Sequence, residues 1–338
     1  MATHQPGGQP DPEFIFGELQ LFQRSLALKG AIELDLFTYI GNGAKTAAAL
    51  AAACSGSERG VRILCDYLTI CGHLIKQNDA YDLTPTSRTF LHKSSPAYLG
   101  SMAGFLMSGF QLAAFRDVAG AVRHGGAVKS EALAPENPIW VEFARSMAPL
   151  MAMTGAAAAS LLISKDAGPM KILDVAAGHG MYGIATAQRN PQAEIVAQDW
   201  SNVLEVAKEN AAKAGVSARY RTLPGSAFDV DYGGPYDLVL VPNFAHHFDP
   251  QSATAFFRKC HAALGPDGRI ALIEFVPDED RTSPPAQAAF ALTMLVGTPA
   301  GDAYTFSEYQ KMLQEAGFRN CQMLGLDSIP QRLIVAAA

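Results

Sequence analysis

The chain has 338 residues, 49% of them hydrophobic and 17% charged, with a formal net charge of −6. That length suits two globular domains with a core each, and an acidic balance without a clustered basic stretch argues against nucleic acid as the main partner. Five cysteines (Cys54, Cys65, Cys71, Cys260, Cys321) form no C-x-x-C pair and no apolar run is long enough to span a bilayer, so neither a disulfide frame, a zinc site nor a membrane helix is expected.

In chain order, the opening MATHQPGGQPDP is polar and proline-rich without a signal-peptide core, which predicts a disordered tail over 1–12 and a cytoplasmic protein. Apolar residues then recur at helical spacing over 14–31 (Phe14, Leu19, Phe22, Leu26, Leu28), and 32–40 reads as a second helix stopped by Gly41, Asn42 and Gly43. An alanine-rich helix over 46–53 and another over 59–71, capped by Ser57, make a helix-turn-helix. Residues 75–83 form two short strands around Asn78 and Asp79, a hairpin. Together these predict a winged helix over 13–100. Such a module often binds DNA, but the helix in the reading position carries Glu58 and Asp66 beside Arg59 and Arg62; its charge nearly cancels, which favours dimerisation.

The stretch 98–121, with Met102, Phe105, Leu106, Met107, Phe110 and Phe115, is apolar on more than one face and is expected to be largely buried. After a loop at 135–138, residues 139–162 form a long helix carrying Met147, Met151 and Met153, and 166–169 link it to the carboxyl-terminal domain. Methionines at helical spacing usually fill cores, yet a helix leading straight into a binding domain is placed to face its ligand, so 101–166 is read as a connector lining a pocket.

From 167 to 338 short apolar strands alternate with helices, the pattern of a parallel α/β sheet. Strands are expected at 171–175, 193–197, 218–222, 236–241 and 269–275, with Gly265 to Gly268 as a turn before the last; a closing hairpin pairs 321–326 with 332–336 across Ser328 and Pro330. The first strand runs into Ala176, Ala177, Gly178, His179 and Gly180, where small side chains let a ligand approach the backbone at a helix amino terminus. The second strand ends on Asp199 and Trp200, beyond the carboxyl edge where open α/β sheets bind ligands. Gly178, Gly180 and Gly183 also satisfy the dinucleotide pattern G-x-G-x-x-G. In that fingerprint, however, the first glycine directly follows the strand, whereas here Asp174 lies inside the strand and the glycines come four and six residues later.

This placement, LDVAAGHG over 173–180 with Asp199 and Trp200, resembles the class I S-adenosylmethionine-dependent methyltransferases. The order of parts, with QDWSNVLEVAKENA over 198–211 and NFAHHFD over 243–249, resembles the small-molecule O-methyltransferases of the caffeic acid and acetylserotonin type across about 14–336. The resemblance implies an α/β fold: a Rossmann-like seven-stranded methyltransferase sheet preceded by a mainly α winged-helix dimerisation domain. It also implies a homodimer, S-adenosyl-L-methionine as cofactor, no required metal, and methylation of a hydroxyl on a small aromatic or polyketide-like metabolite. The cofactor residues it implies are Asp174, Gly178, Gly180, Asp199, Trp200, Ser226, Ala227, Phe228 and Asn243, with Asp199 on the ribose. His246 falls on the family's general base and His247 where relatives carry aspartate. Two departures stand out. Ala303 replaces the glutamate that orients the base in plant relatives, leaving Asp302 as the candidate for that task; Ser226 replaces an acidic adenine contact. An acceptor pocket is expected from Phe105, Phe110, Met147, Met151, Phe244, Phe290 and Met294. Carbon or nitrogen methylation, metal-assisted through the paired histidines, and a ligand-sensing DNA-binding regulator are the alternatives.

Overall fold

A computed structural model describes residues 9–128, 134, 136–326 and 329–338. Most of the expected tail, together with Pro135 and Ser328 of the two expected loops, lies outside the described residues. The chain divides into two units, Met1–Ser108 and Gly109–Ala338, a boundary inside the stretch expected as a connector.

In the first unit, helix α1 (Pro12–Glu33) starts where Asp11 accepts the Glu13 N–H at 2.9 Å and Pro12 fixes the opening turn. It runs past the expected break near residue 31 and stops at Asp35, whose left-handed backbone (φ 59°) turns the chain into α2 (Leu36–Gly41). Helices α3 (Ala47–Cys54) and α4 (Glu58–Ile70) are capped by the side chains of Thr46 and Ser57. Strands β1 (Leu74–Gln77) and β2 (Ala80–Leu83) pair antiparallel across Asn78 (φ 54°), completing the wing. Leu36, Phe37, Leu50, Cys65, Leu68 and Tyr81 are buried between them. Phe16, Leu19 and Phe22 of α1 stay 60–72% exposed. Helices α5 (Pro85–Phe90) and α6 (Met102–Leu106) come next in the chain.

The second unit opens with α7 (Gly109–Ala114), a short 3-10 turn and α8 (Val118–His124). The apolar stretch 98–121 is therefore broken into short pieces, and Leu106, Leu112 and Phe115 are exposed rather than buried as expected. The long helix α9 (Pro138–Leu162) leads into β3 (Met170–Val175), α10 (Met181–Arg189), β4 (Ala193–Asp199), α11 (Ser201–Lys213), β5 (Tyr220–Pro224), β6 (Tyr236–Pro242), α12 (Pro250–Ala262), β7 (Leu264–Glu274), α13 (Pro285–Gly297), α14 (Phe306–Glu315), β8 (Arg319–Gly325) and β9 (Arg332–Ala337). Among these, β7 absorbs the turn expected at Gly265 to Gly268, with a register shift between Tyr236 and Leu238 on its partner β6. The sheet order is β5-β4-β3-β6-β7-β9-β8, parallel except where β9 runs antiparallel to its two neighbours. Strand order reverses between β3 and β6, so a crevice opens there beyond their carboxyl ends. Among the described residues, no helix is long and apolar enough to cross a membrane.

Candidate active site

The turn after β3 is shaped by left-handed backbone at Ala176 (φ 50°), Gly178 (φ 57°) and Gly180 (φ 76°). At Gly178 the left-handed backbone is what favours glycine, and a Cβ there would make only ordinary contact with Phe143 of α9, 3.9 Å away. The Gly178 N–H donates to Asp199 Oδ2 at 2.7 Å, and Asp199 Oδ1 accepts the Trp200 N–H at 2.7 Å. A carboxylate can accept about four hydrogen bonds, and Asp199 is half-buried at the crevice, so it retains capacity for a ligand's hydroxyls. Burial pushes its carboxyl up to about 6.

Asp174, expected on the cofactor, is instead fully buried beneath the turn. Its Oδ2 accepts the Gly183 N–H at 2.9 Å in the first turn of α10, where the helix end favours a carboxylate, and burial raises it to about 8. It shapes the floor of the turn and does not reach the crevice. Beside Asp199, a cavity of about 380 Å³ is lined by Glu136, Trp200, Ser201, Pro224 and Gly225. Ser226 Oγ accepts the Phe228 N–H at 3.2 Å, Ala227 is buried, and Phe228 lies edge-on to Phe248 at 4.9 Å. A carboxylate for a diol, an aromatic plate for a heterocycle and a small-residue turn for an amino-acid tail suit an adenosyl sulfonium amino acid.

The exit of β6 forms the second half of the site. Asn243 takes a left-handed backbone (φ 50°), and its Nδ2 donates to the Tyr182 hydroxyl at 3.0 Å, which itself donates to Met151 Sδ at 3.3 Å. Through Nδ2 the amide ties β6 to α10 and α9, while its Oδ1 has no partner among the described residues. His246 is 2% exposed, and its Nδ1 hydrogen-bonds Oε2 of the fully buried Glu274 at the end of β7. Glu274 Oε1 accepts the N–H groups of Phe244 and Ala245 at 3.0 and 2.9 Å, so one carboxylate fixes both the ring and the turn that carries it. With Nδ1–H donated to Glu274, Nε2 keeps its lone pair.

The group that hydrogen-bonds the His246 ring is thus Glu274, not the Asp302 expected beside it. The Asp302 carboxylate turns away, pairing with Arg281 at 3.2 Å, and only its main-chain N–H touches His246, at the carbonyl, 3.0 Å away. His247 stacks on His246 with ring centres 4.4 Å apart, and burial, then the neighbouring His246, holds it well below the ordinary histidine range. Phe290 meets the His246 ring edge-on at 4.8 Å.

A row of rings joins the two halves. Trp140 lies 5.6 Å from His247 and 5.8 Å from Phe143; Phe143 stacks on His179 at 6.1 Å; His179 is 5.9 Å from Tyr182. Burial lowers His179 to about 3, and its Nδ1 accepts the Met181 N–H at 3.1 Å. Of the expected acceptor residues, Phe290 lies beside the base, Met151 touches Tyr182, and Met147 and Met294 are buried. Phe244 packs against Phe228, Phe248 and Phe256, Phe110 is half-buried on α7, and Phe105 is buried on α6 of the first unit. Sequence reasoning missed Glu274, Tyr182, Trp140 and Phe143, and named His179 only as part of the turn. For Glu274 a signal existed: it is the single acid in the otherwise apolar IALIEF, at the strand's carboxyl end.

The chain also has clear relatives. The profile of the O-methyltransferase domain matches residues 121–319, and that of the O-methyltransferase dimerisation domain matches residues 18–93. The chain is 27% identical over 303 residues to the 3-hydroxy-5-methyl-1-naphthoate 3-O-methyltransferase of Streptomyces sahachiroi, covering 87% of this chain and 86% of that protein. Among solved structures, one from Nostoc punctiforme described as an O-methyltransferase shares 46% identity at a TM-score of 0.94, covering 98% of this chain and 100% of that one. Human N-acetylserotonin methyltransferase in complex with S-adenosylmethionine shares the fold, with 22% identity, a TM-score of 0.86, and coverage of 98% of this chain and 99% of that one. With the catalytic-domain profile matching more than half its length, the chain belongs to the O-methyltransferase family and is a methyltransferase that uses S-adenosylmethionine.

Proposed function

We propose that the chain methylates a hydroxyl of a small, flat aromatic or polyketide-like metabolite, with His246 as general base and Glu274 as the group that orients it. The observation that carries this reading is the buried His246–Glu274 pair, which leaves Nε2 as an acceptor beside Phe290. When bound, S-adenosylmethionine supplies an electrophilic methyl on a sulfonium. The chain's own residues then have two tasks, holding the partners in line and removing the hydroxyl proton. A phenol near pKa 10 is mostly protonated at neutral pH, and a neutral imidazole can accept its proton at Nε2. Glu274 stabilises the imidazolium that results.

Asp199 is assigned the ribose hydroxyls, Gly178 and Gly180 the methionyl end, and Trp200 the adenine, with Ser226 to Phe228 closing that side. Phe290, Met294, Met147 and Met151 favour an uncharged, planar acceptor. The relative named for a hydroxynaphthoate supports the flat aromatic part of this reading, although its acceptor carries a carboxylate. The exposed apolar side chains of α1, in the segment matched by the dimerisation profile, support a homodimer.

Turnover of His246→Ala and Glu274→Gln on a panel of phenols tests the base. Both variants should lose about 10²-fold or more in kcat while binding S-adenosylhomocysteine as the wild type does. Near-normal turnover of His246→Ala removes the assignment.

A further inference from the structure

Glu274 fixes the ring of His246, but a ring is only as well placed as the main chain beneath it, here a 3-10 turn over Ala245–His247. The segment between α13 and α14 braces that turn. The Asp302 N–H donates to the His246 carbonyl at 3.0 Å. Next to it, a Cβ on Gly301 would stand 2.3 Å from the same carbonyl oxygen and 3.0 Å from the carbonyl carbon of His247. Only a residue without a side chain allows this approach.

The brace is itself anchored. The Gly301 N–H donates to Thr298 Oγ1 at 2.8 Å, and the Thr298 hydroxyl donates to the Met294 carbonyl of α13 at 2.7 Å. Thr298 is 2% exposed, so these bonds have no water to compete with them. On the other flank the Thr298 carbonyl accepts the Ala127 N–H at 2.8 Å, and a Cβ on Gly126 would lie 2.0 Å from the Pro299 carbonyl oxygen. Helix α13 also carries Phe290 against the His246 ring. One continuous piece of chain thus touches the base at both its ring and its backbone.

We infer that the turn over 298–302 is a positioning device for His246, with Gly301 and Thr298 as its positioning residues, acting through main-chain contact. The inference rests on His246 being the base. An added methyl at 301 forces the His246 carbonyl back by about 1 Å, and a misplacement of that size at a reacting group can cost about 10²-fold in rate.

The test uses Gly301→Ala, Thr298→Val and Thr298→Ser in the full chain, the first two also combined with His246→Ala. Gly301→Ala and Thr298→Val are expected to lower kcat by about 10- to 100-fold and to alter its pH dependence, with S-adenosylhomocysteine affinity unchanged by calorimetry. Thr298→Ser, which keeps the hydroxyl, should restore the wild-type rate. In the His246→Ala background neither change should lower the residual rate further, because the group they place is gone. Wild-type kcat in Gly301→Ala, or losses that multiply in the double variants, overturns the inference and leaves the base standing. Full activity of His246→Ala alone overturns the base reading instead. If Gly301→Ala does not fold, the Thr298 pair decides by the same readouts.

Discussion

Asp199 holds the Gly178 and Trp200 N–H groups, yet burial raises its carboxyl to about 6. Hydroxyls donating to it favour its ionised form, so a ligand that uses this carboxylate must expel a proton wherever the free protein is protonated. S-adenosylhomocysteine affinity should therefore be flat above about pH 7 and weaken about tenfold per unit below pH 6, with proton release seen by calorimetry in buffers of different ionisation heat. Affinity constant from pH 5 to 8 argues against the ribose role. Asp199 and His246 are legible in the sequence because each comes after an apolar strand in a short motif. Glu274 is not, since its partnership with His246 depends on β6 and β7 lying side by side, a fact of strand order that spacing does not encode. Asp302 misleads for a related reason. Its place in the chain says that it comes near the base, but not that the turn presents its N–H and sends its carboxylate to Arg281.

Gly183 shows how an element's packing can override its local pattern. It completes the G-x-G-x-x-G string, but a Cβ there would lie 2.8 Å from both Asp174 Oδ2 and Ile195 Cγ2, so glycine lets α10 settle directly on β3 and β4. Alanine is the better helix former, yet Gly183→Ala should destabilise the protein by about 1–3 kcal/mol in urea unfolding. Equal or greater stability would mean that the helix has room to move off the sheet. Helix starts are legible where a cap announces them, as at Ser57. The pieces within 98–121 are not, because an apolar composition fixes burial on average and says little about where short helices break. Likewise Gly265–Gly268 form an irregularity inside β7 and not a separate turn, because the ladder with β6 is held on both sides of them, at Tyr236 with Leu264 and at Leu238 with Arg269.

At the scale of the molecule, alternation of short strands and helices is enough to foretell a mostly parallel sheet with a closing antiparallel pair, and the structure has that order. The amino-terminal unit is legible as a winged helix from its caps and its hairpin. Its assembly is a matter of surface: α1 leaves Ile15, Phe16, Leu19 and Phe22 at 57–72% exposure, more apolar area than one helix ordinarily leaves in water. Replacing Phe16 and Leu19 together by glutamate should convert a dimer into monomers in sedimentation velocity runs, and unchanged sedimentation would place the contact elsewhere.

The dryness of the histidine and glutamate pair has a consequence for the catalytic cycle. If His246 takes the proton as proposed, then with 2% of it and none of Glu274 reached by solvent, that proton exchanges poorly with the surrounding liquid while the crevice is filled. On that reading the imidazole is discharged as the methylated molecule departs, and one event both empties the crevice and resets the ring.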